Sequence, residues 1–275
     1  MRELERDSLP SPLSATPLVV VGRGRVGRSL TTAAEAAGID VRLASHDAAA
    51  EASSRNAAVL LCVPDQAIGE ICARLAPAAP SLVGHVSGAT TLDALSPAIE
   101  RGAAGFSLHP LQTFADAATP VEGTPAAIAG SDEKALAYAR ALAGTLGMRP
   151  FEVPEESRAA YHAAAAISSN LLIALEESAA ELFDRIGIDD ARELLTPLVL
   201  RTAANWTELG PAALTGPIAR GDRSTIERHR AALAETAPEL LPAYDALAER
   251  AEAVMRGGSA GDAEEPPVSR SEVSA

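Results

Sequence analysis

Seven apolar runs recur through the first half of the chain: PLVVVG, IDVRLAS, AAVLLCVP, SLVGHVS, AAGFSLHP, PAAIAGS and MRPFEVP. Most are continuous rather than alternating, the pattern of strands buried on both faces. Helical patterns separate several of them. One runs from about Val26 to Ala37 and is stopped by Gly38; another, DQAIGEICARLA, comes after the strand that Pro64 closes. Strands alternating with helices predict an α/β domain with a mainly parallel sheet covered on both sides.

The pattern changes at Pro154. The stretch EESRAAYHAAAAISSNLLIALEESAAELFDRIG has no helix breaker before Gly187 and is rich in Ala, Leu and Glu, which predicts one long helix. A second helix is expected from Asp189, bent at Pro197. A third should open at Ser224, where Ser224 and Glu227 spell a capping box, and a fourth at Pro238, running to about Arg256. The expected organisation is a sheet domain over 17–153 and an all-helical domain over 154–256. Residues 1–16 and 257–275, rich in Pro, Gly, Ser and acid, are expected to be disordered.

Composition narrows the function. The net charge is −14 over 275 residues, which disfavours nucleic acid as a partner, since phosphates need a basic face. Cys62 and Cys72 are too few to staple a chain of this length, no apolar run is long enough to span a bilayer, and the N-terminus lacks a signal-peptide pattern. A cytoplasmic protein is expected, with no membrane partner and no metal site. Lys134 is the only lysine.

The first strand runs straight into GRGRVG, in which Gly22, Gly24 and Gly27 make G-x-G-x-x-G between a strand and a helix. In that context the motif predicts a Rossmann dinucleotide site: a tight turn at Gly22, backbone approach to pyrophosphate at Gly24, close helix–strand packing at Gly27. Arg23, Arg25 and Val26 complete the loop, and the helix N-terminus faces the anion. The second strand ends in RLASHD, with Ser45 and His46 where an NAD site usually carries an acid; Asp47 comes slightly late. A hydroxyl, an imidazole and two loop arginines suit a 2′-phosphate, so NADP is expected, with NAD as the alternative.

Three later strands end in VPDQAI, HVSGA and SLHP, delivering Val63, Pro64 and Asp65, then Ser87 and Gly88, then His109 to the sheet edge at which ligands of open parallel sheets bind. Gln112 and Thr113 come just after His109 and are placed in the same pocket. At helical spacing His162 and Ser169 share a face of the long helix.

The order GRGRVG, VPDQAI, VSGA, SLHPLQTF, YHAAAAISSN and TGPIARGD resembles the Rossmann-like proteins with a C-terminal helical domain of unknown function, within the phosphogluconate-dehydrogenase-like superfamily. The resemblance covers about residues 17–253. It implies an NAD(P)-dependent dehydrogenase whose helical domain forms a homodimer, related to ketopantoate, hydroxyisobutyrate and pyrroline-carboxylate reductases and prephenate dehydrogenase. Hydroxyacid members carry a lysine four residues before an asparagine; Asn170 matches that asparagine, but Ala166 stands at the lysine position. Proton delivery therefore passes to an imidazole, whose ordinary pKa suits it, and His109 and His162 both remain candidates. The His-Pro pair is similar to the histidine with which prephenate dehydrogenases contact the substrate oxygen. A small carboxylate substrate calls for a guanidinium, and Arg220 in TGPIARGD is the candidate. The expected activity is reduction of a small keto acid, ketopantoate among them, or of an imino acid. Alternatives are a non-catalytic NADP-binding redox sensor or scaffold and, more remotely, a deazaflavin-linked reductase.

Overall fold

The computed structural model describes residues 13, 16–49, 56–75 and 80–258. The ends expected to be disordered lie largely outside these residues. Leu13, within the first of them, is 3% exposed and belongs to the core.

The seven apolar runs form seven strands: β1 (Leu18–Val21), β2 (Val41–Ala44), β3 (Ala58–Leu61), β4 (Leu82–His85), β5 (Ala104–Pro110), β6 (Pro125–Gly130) and β7 (Arg149–Glu152). They make one sheet in the order β2-β1-β3-β4-β5-β6-β7. Every neighbouring pair is parallel except β5 and β6. The exception has its cause in the connections. Parallel neighbours need a crossover, and no helix lies between β5 and β6, whereas α4 (Glu133–Thr145) carries the chain from β6 to β7.

Successive strand residues point to opposite faces, and the core divides accordingly. Leu18 and Val20 of β1, Leu60, Phe106, Leu108 and Ile128 pack on one face with Leu30 and Ala34 of α1 (Arg25–Ala36) and with Tyr138, Ala139 and Leu142 of α4. Val19 and Val21, with Val59, Leu61 and Val83, pack on the other with α2 (Ile68–Arg74) and with Ala98 of α3 (Ser96–Ile99). Phe106 meets Tyr138 edge-on, ring centroids 5.3 Å apart.

The remaining helices are α5 (Arg158–Ser168), α6 (Asn170–Arg185), α7 (Ala191–Leu209), α8 (Gly216–Ala219), α9 (Arg223–Thr236) and α10 (Leu241–Gly258). The single long helix expected after Pro154 is two helices, broken at Ser169, whose φ and ψ are −132° and −79°. The cause is local. The Ser168 hydroxyl donates to the Ala164 carbonyl, and the Ser169 hydroxyl to the Ala165 carbonyl and to Asn170 Oδ1, competing with the helix's own ladder. Helix α9 is capped by Asp222 rather than by Ser224. The Asp222 carboxylate accepts from the Thr225 amide at 3.1 Å and from the Thr225 and Ser224 hydroxyls, three donors that a serine at the cap could not serve.

The described residues form two compact units, divided between Asn170 and Leu171. Helix α5 thus belongs with the sheet. In the second unit α8 packs against α9 and α10, and no helix among the described residues is long and apolar enough to cross a membrane.

Candidate active site at the carboxyl edge of the sheet

β1 delivers the glycine loop. Gly22 has φ +123°, and a Cβ there would stand 2.1 Å from the Cys62 carbonyl oxygen, so no other residue fits the turn. A Cβ on Gly27 would stand 1.9 Å from the Gly22 oxygen, which is the close packing of α1 on β1 that the motif predicts. Gly24 differs: a Cβ there meets nothing within 4 Å. Its amide neighbours open α1 without any side-chain cap and without an acidic residue in the first turn. Unsatisfied N–H groups beside open space are what a pyrophosphate needs, so the chain's own residues fit a dinucleotide.

The end of β2 lies against this loop, since the Gly22 amide donates to the Ala44 carbonyl at 2.9 Å. Ser45 and His46 come next in the chain. His46 Nε2 stands 3.2 Å from Asp47 Oδ1, and both side chains are exposed. Arg23 is exposed as well. Arg25 is committed elsewhere: its guanidinium donates to the Phe114 carbonyl at 3.1 Å, tying the start of α1 to the loop after β5.

At the ends of β3 and β4, Val63 is half-buried and Pro64 exposed, and the side chains beyond them bond one another. The Ser87 hydroxyl is 2.8 Å from Asp65 Oδ2 and accepts from the Ala89 and Thr90 amides. The Ser87 amide in turn donates to His85 Nδ1 at 3.2 Å. His85 is wholly buried, and burial with the neighbouring Arg158 charge pulls its pKa down to about 4.

β5 and α5 bring two histidines together. The His109 and His162 rings have centroids 5.9 Å apart and meet edge to face. Gly88 lies against both: a Cβ there would stand 2.7 Å from His162 Cδ2 and 2.9 Å from His109 Nε2. Tyr161, to which the sequence assigns no role, places its hydroxyl 2.7 Å from His109 Nδ1. Burial lowers the His109 pKa to about 4, helped by His162 and Arg158 and opposed by Asp65. At neutral pH this favours a neutral imidazole at His109 over the partly protonated group that its ordinary pKa suggests. Burial likewise raises the Tyr161 pKa to about 12, against the pull of Arg158.

Arg158, unmarked by any motif, is 0% exposed. It donates to the Ser107 hydroxyl at 2.6 Å and to the carbonyls of Thr90 and Ser87, and its Nε lies 3.5 Å from Glu155 Oε1. One buried guanidinium thus clips α5 to the ends of β4 and β5. Arg158, Tyr161 and His162 stand at i, i+3 and i+4, one helix face, which is the signal the sequence does carry.

Other expected site residues are placed differently. Both ends of the Gln112 amide are used within its own loop, donating to the Pro120 carbonyl and accepting from Thr124, each at 2.8 Å. Thr113 is exposed. Ser169 and Asn170 bond each other about 10 Å along the helix from His162, by the rise per residue. Arg220 is exposed in the second unit. The groove of about 440 Å³ between α1, the end of α4 and residues 118–122 contains none of these side chains.

The family model described as a domain of unknown function (DUF2520) matches residues 124–251, and one described as a Rossmann-like domain matches residues 40–110. The two matches follow one another along the chain without overlap. No curated protein matches it. Solved structures share its fold at low identity. A Bacteroides fragilis protein, provisionally called an NADP oxidoreductase, has a TM-score of 0.71 at 22% identity, covering 88% of this chain and 99% of that one. A Thermotoga maritima protein has a TM-score of 0.70 at 23% identity, with 88% and 99% covered. A reductive aminase from Aspergillus terreus, in complex with NADPH and ethyl-5-oxohexanoate, has a TM-score of 0.63 at 19% identity, with 89% and 96% covered.

Proposed function

We propose that this chain is an NADP-dependent reductase of a small keto acid, ketopantoate among the candidates, or of an imino acid. The observation that carries the reading is one sheet edge holding both an uncapped glycine-rich helix start, open at Gly24, and an imidazole at His109. From β1 to β5 is three strand steps of about 4.8 Å, a span that an extended dinucleotide bridges. Support comes also from similar folds: the Aspergillus enzyme holds NADPH, and pyrroline carboxylate reductase from Plasmodium falciparum has NADP bound.

In this reading Gly22, Gly24 and Gly27 let the α1 amides meet the pyrophosphate, and Arg23, Ser45 and His46 receive the 2′-phosphate. NADPH supplies the hydride when bound. Val63, Pro64, Asp65 and Ser87 lie beside the nicotinamide and Gly88 beside the reacting carbonyl, and His109 gives the proton to its oxygen while His162 packs edge-on against the imidazole. We also propose that a second copy covers the exposed leucines of the helical unit as a homodimer.

The test is equilibrium titration with NADPH and NADH, then NADPH oxidation with ketopantoate, other 2-keto acids and pyrroline-5-carboxylate. Tighter NADPH binding and steady turnover on one of these is expected. Tighter NADH binding overturns the cofactor assignment; tight NADPH binding without turnover on any substrate overturns the reductase and favours a redox sensor. If His109→Ala and His162→Ala both leave the maximal rate unchanged, neither histidine delivers the proton.

A further inference from the structure

His109 carries a difficulty within the proposed reaction. A proton donor to an alkoxide is best as a cation, yet the surroundings of His109 hold it neutral. Tyr161, His162 and Arg158 face it from α5, His85 from β4 and Asp65 from the turn after β3, and of these only the Asp65 carboxylate favours a positive imidazole. From β6, the strand paired with β5, the residue in register is Ala127, which has no charge to add. A neutral imidazole gives up a proton readily only if another group refills it at the same time.

We propose that Tyr161 is that group: its hydroxyl donates to His109 Nδ1, fixes the tautomer with hydrogen on Nε2, and refills the ring as Nε2 protonates the substrate. The contact is 2.7 Å, and the ring of Tyr161 is held edge-on to both His109 and Phe151, with centroids 5.6 and 6.0 Å away. As the carbonyl carbon gains hydride, its oxygen takes the proton of Nε2 and Nδ1 takes the phenol proton. One N–H and one O–H bond break, one O–H and one N–H bond form. The negative charge ends on the Tyr161 oxygen, where the buried Arg158 guanidinium stabilises it until water returns a proton. An alkoxide is a stronger base than a phenolate, so the transfer runs downhill. Tyr161 acts through His109 and is a positioning residue and proton reservoir, not a group that touches substrate. The assignment rests on the reductase reading for its chemistry, but its proton arrangement can be tested without turnover.

The experiment has two arms on the full chain. Nitrogen-15 NMR of histidine-labelled protein without cofactor, with His109 assigned by its loss in His109→Gln, reads the tautomer directly. The expected result is a neutral ring at pH 6 with hydrogen on Nε2 and a hydrogen-bonded Nδ1 that loses its bond in Tyr161→Phe. Hydrogen on Nδ1 in the unaltered chain, or the same spectrum in Tyr161→Phe, overturns the proposal. The second arm uses NADPH and whichever keto acid or pyrroline-5-carboxylate is turned over. Tyr161→Phe should keep NADPH affinity within about twofold and lose about 100-fold in rate, the scale of one proton-transfer partner. Its rate should also fall as pH rises from 5 to 8, because only the imidazolium remains as donor, while the unaltered enzyme stays level over that range. An unchanged rate and pH profile in Tyr161→Phe overturns the relay. Absence of turnover in the unaltered chain counts against the reductase reading alone, and the NMR arm still decides the pairing.

Discussion

The two units treat their large apolar side chains in opposite ways. In the sheet unit Leu18, Leu30, Leu60, Phe106, Leu108, Ile128 and Leu142 are all less than 2% exposed. In the helical unit the buried apolar positions among the described residues are Ala180, Ala191, Leu233 and Ala237, while Leu198, Leu200 and Trp206 are each more than 60% exposed. Residues 172–200 also leave an apolar groove of about 340 Å³ lined by Leu172, Ile173, Leu195, Val199 and Leu200. Exposing that much aliphatic surface is unfavourable in water. The sheet unit buries nearly all its large apolar side chains, Ile167 of α5 being an exception at 63% exposed, whereas the helical unit leaves many of its own in the open.

This contrast can be broken in several places. Phe106→Ala removes a ring that packs on Tyr138 inside the sheet unit and should cost about 3–5 kcal/mol in denaturant unfolding. Arg158→Ala leaves the Ser107 hydroxyl and the Ser87 and Thr90 carbonyls without their buried donor and should cost about 3 kcal/mol, whereas Arg158→Lys should recover part of it. A loss below about 1 kcal/mol would show that the clip between α5 and the strand ends is incidental.

Acid should weaken the sheet unit next. His85 and His109 have folded pKa values of about 4, below the ordinary 6.5. Between those values the unfolded chain binds more protons, so stability is full above pH 6.5 and falls as pH drops from 6.5 towards 4. Unfolding midpoints that stay level over that window would mean the imidazoles are not buried as described. The smallest effect belongs to the helical unit. Leu198→Ala should change the stability of a monomer by less than about 0.5 kcal/mol, and its consequence should appear in sedimentation as a shift from dimer towards monomer. If it cost as much as Phe106→Ala with no change in assembly, the two units would not differ as claimed.

Much of the sheet unit is legible in the sequence because its signals are local. Continuous apolar runs ended by Gly22, Pro64 or Gly88 mark strand ends, and the glycine spacing after β1 dictates a tight turn into a closely packed helix. The hidden parts are set by tertiary contact. The Tyr161 hydroxyl meets a ring 52 residues earlier in the chain, and nothing in YHAAAAI announces its partner. Arg158 does not stand out in sequence because arginines are normally at the surface, and this one is the largest of the fully buried side chains among the described residues. Gln112 looks available from its place after His-Pro, yet both ends of its amide hold its own loop closed. The break at Ser169 is concealed by a run of good helix formers, although Ser168, Ser169 and Asn170 are three consecutive residues able to compete with the backbone.

The central claim is that the carboxyl edge of the sheet binds NADPH and that His109 protonates the reduced product there. The most direct measurement is the rate of NADPH oxidation by the full chain and by His109→Ala, with NADPH affinity determined on both proteins. The account predicts affinities within about twofold and a rate at least about 100-fold lower in His109→Ala. Equal rates at equal affinity would contradict it.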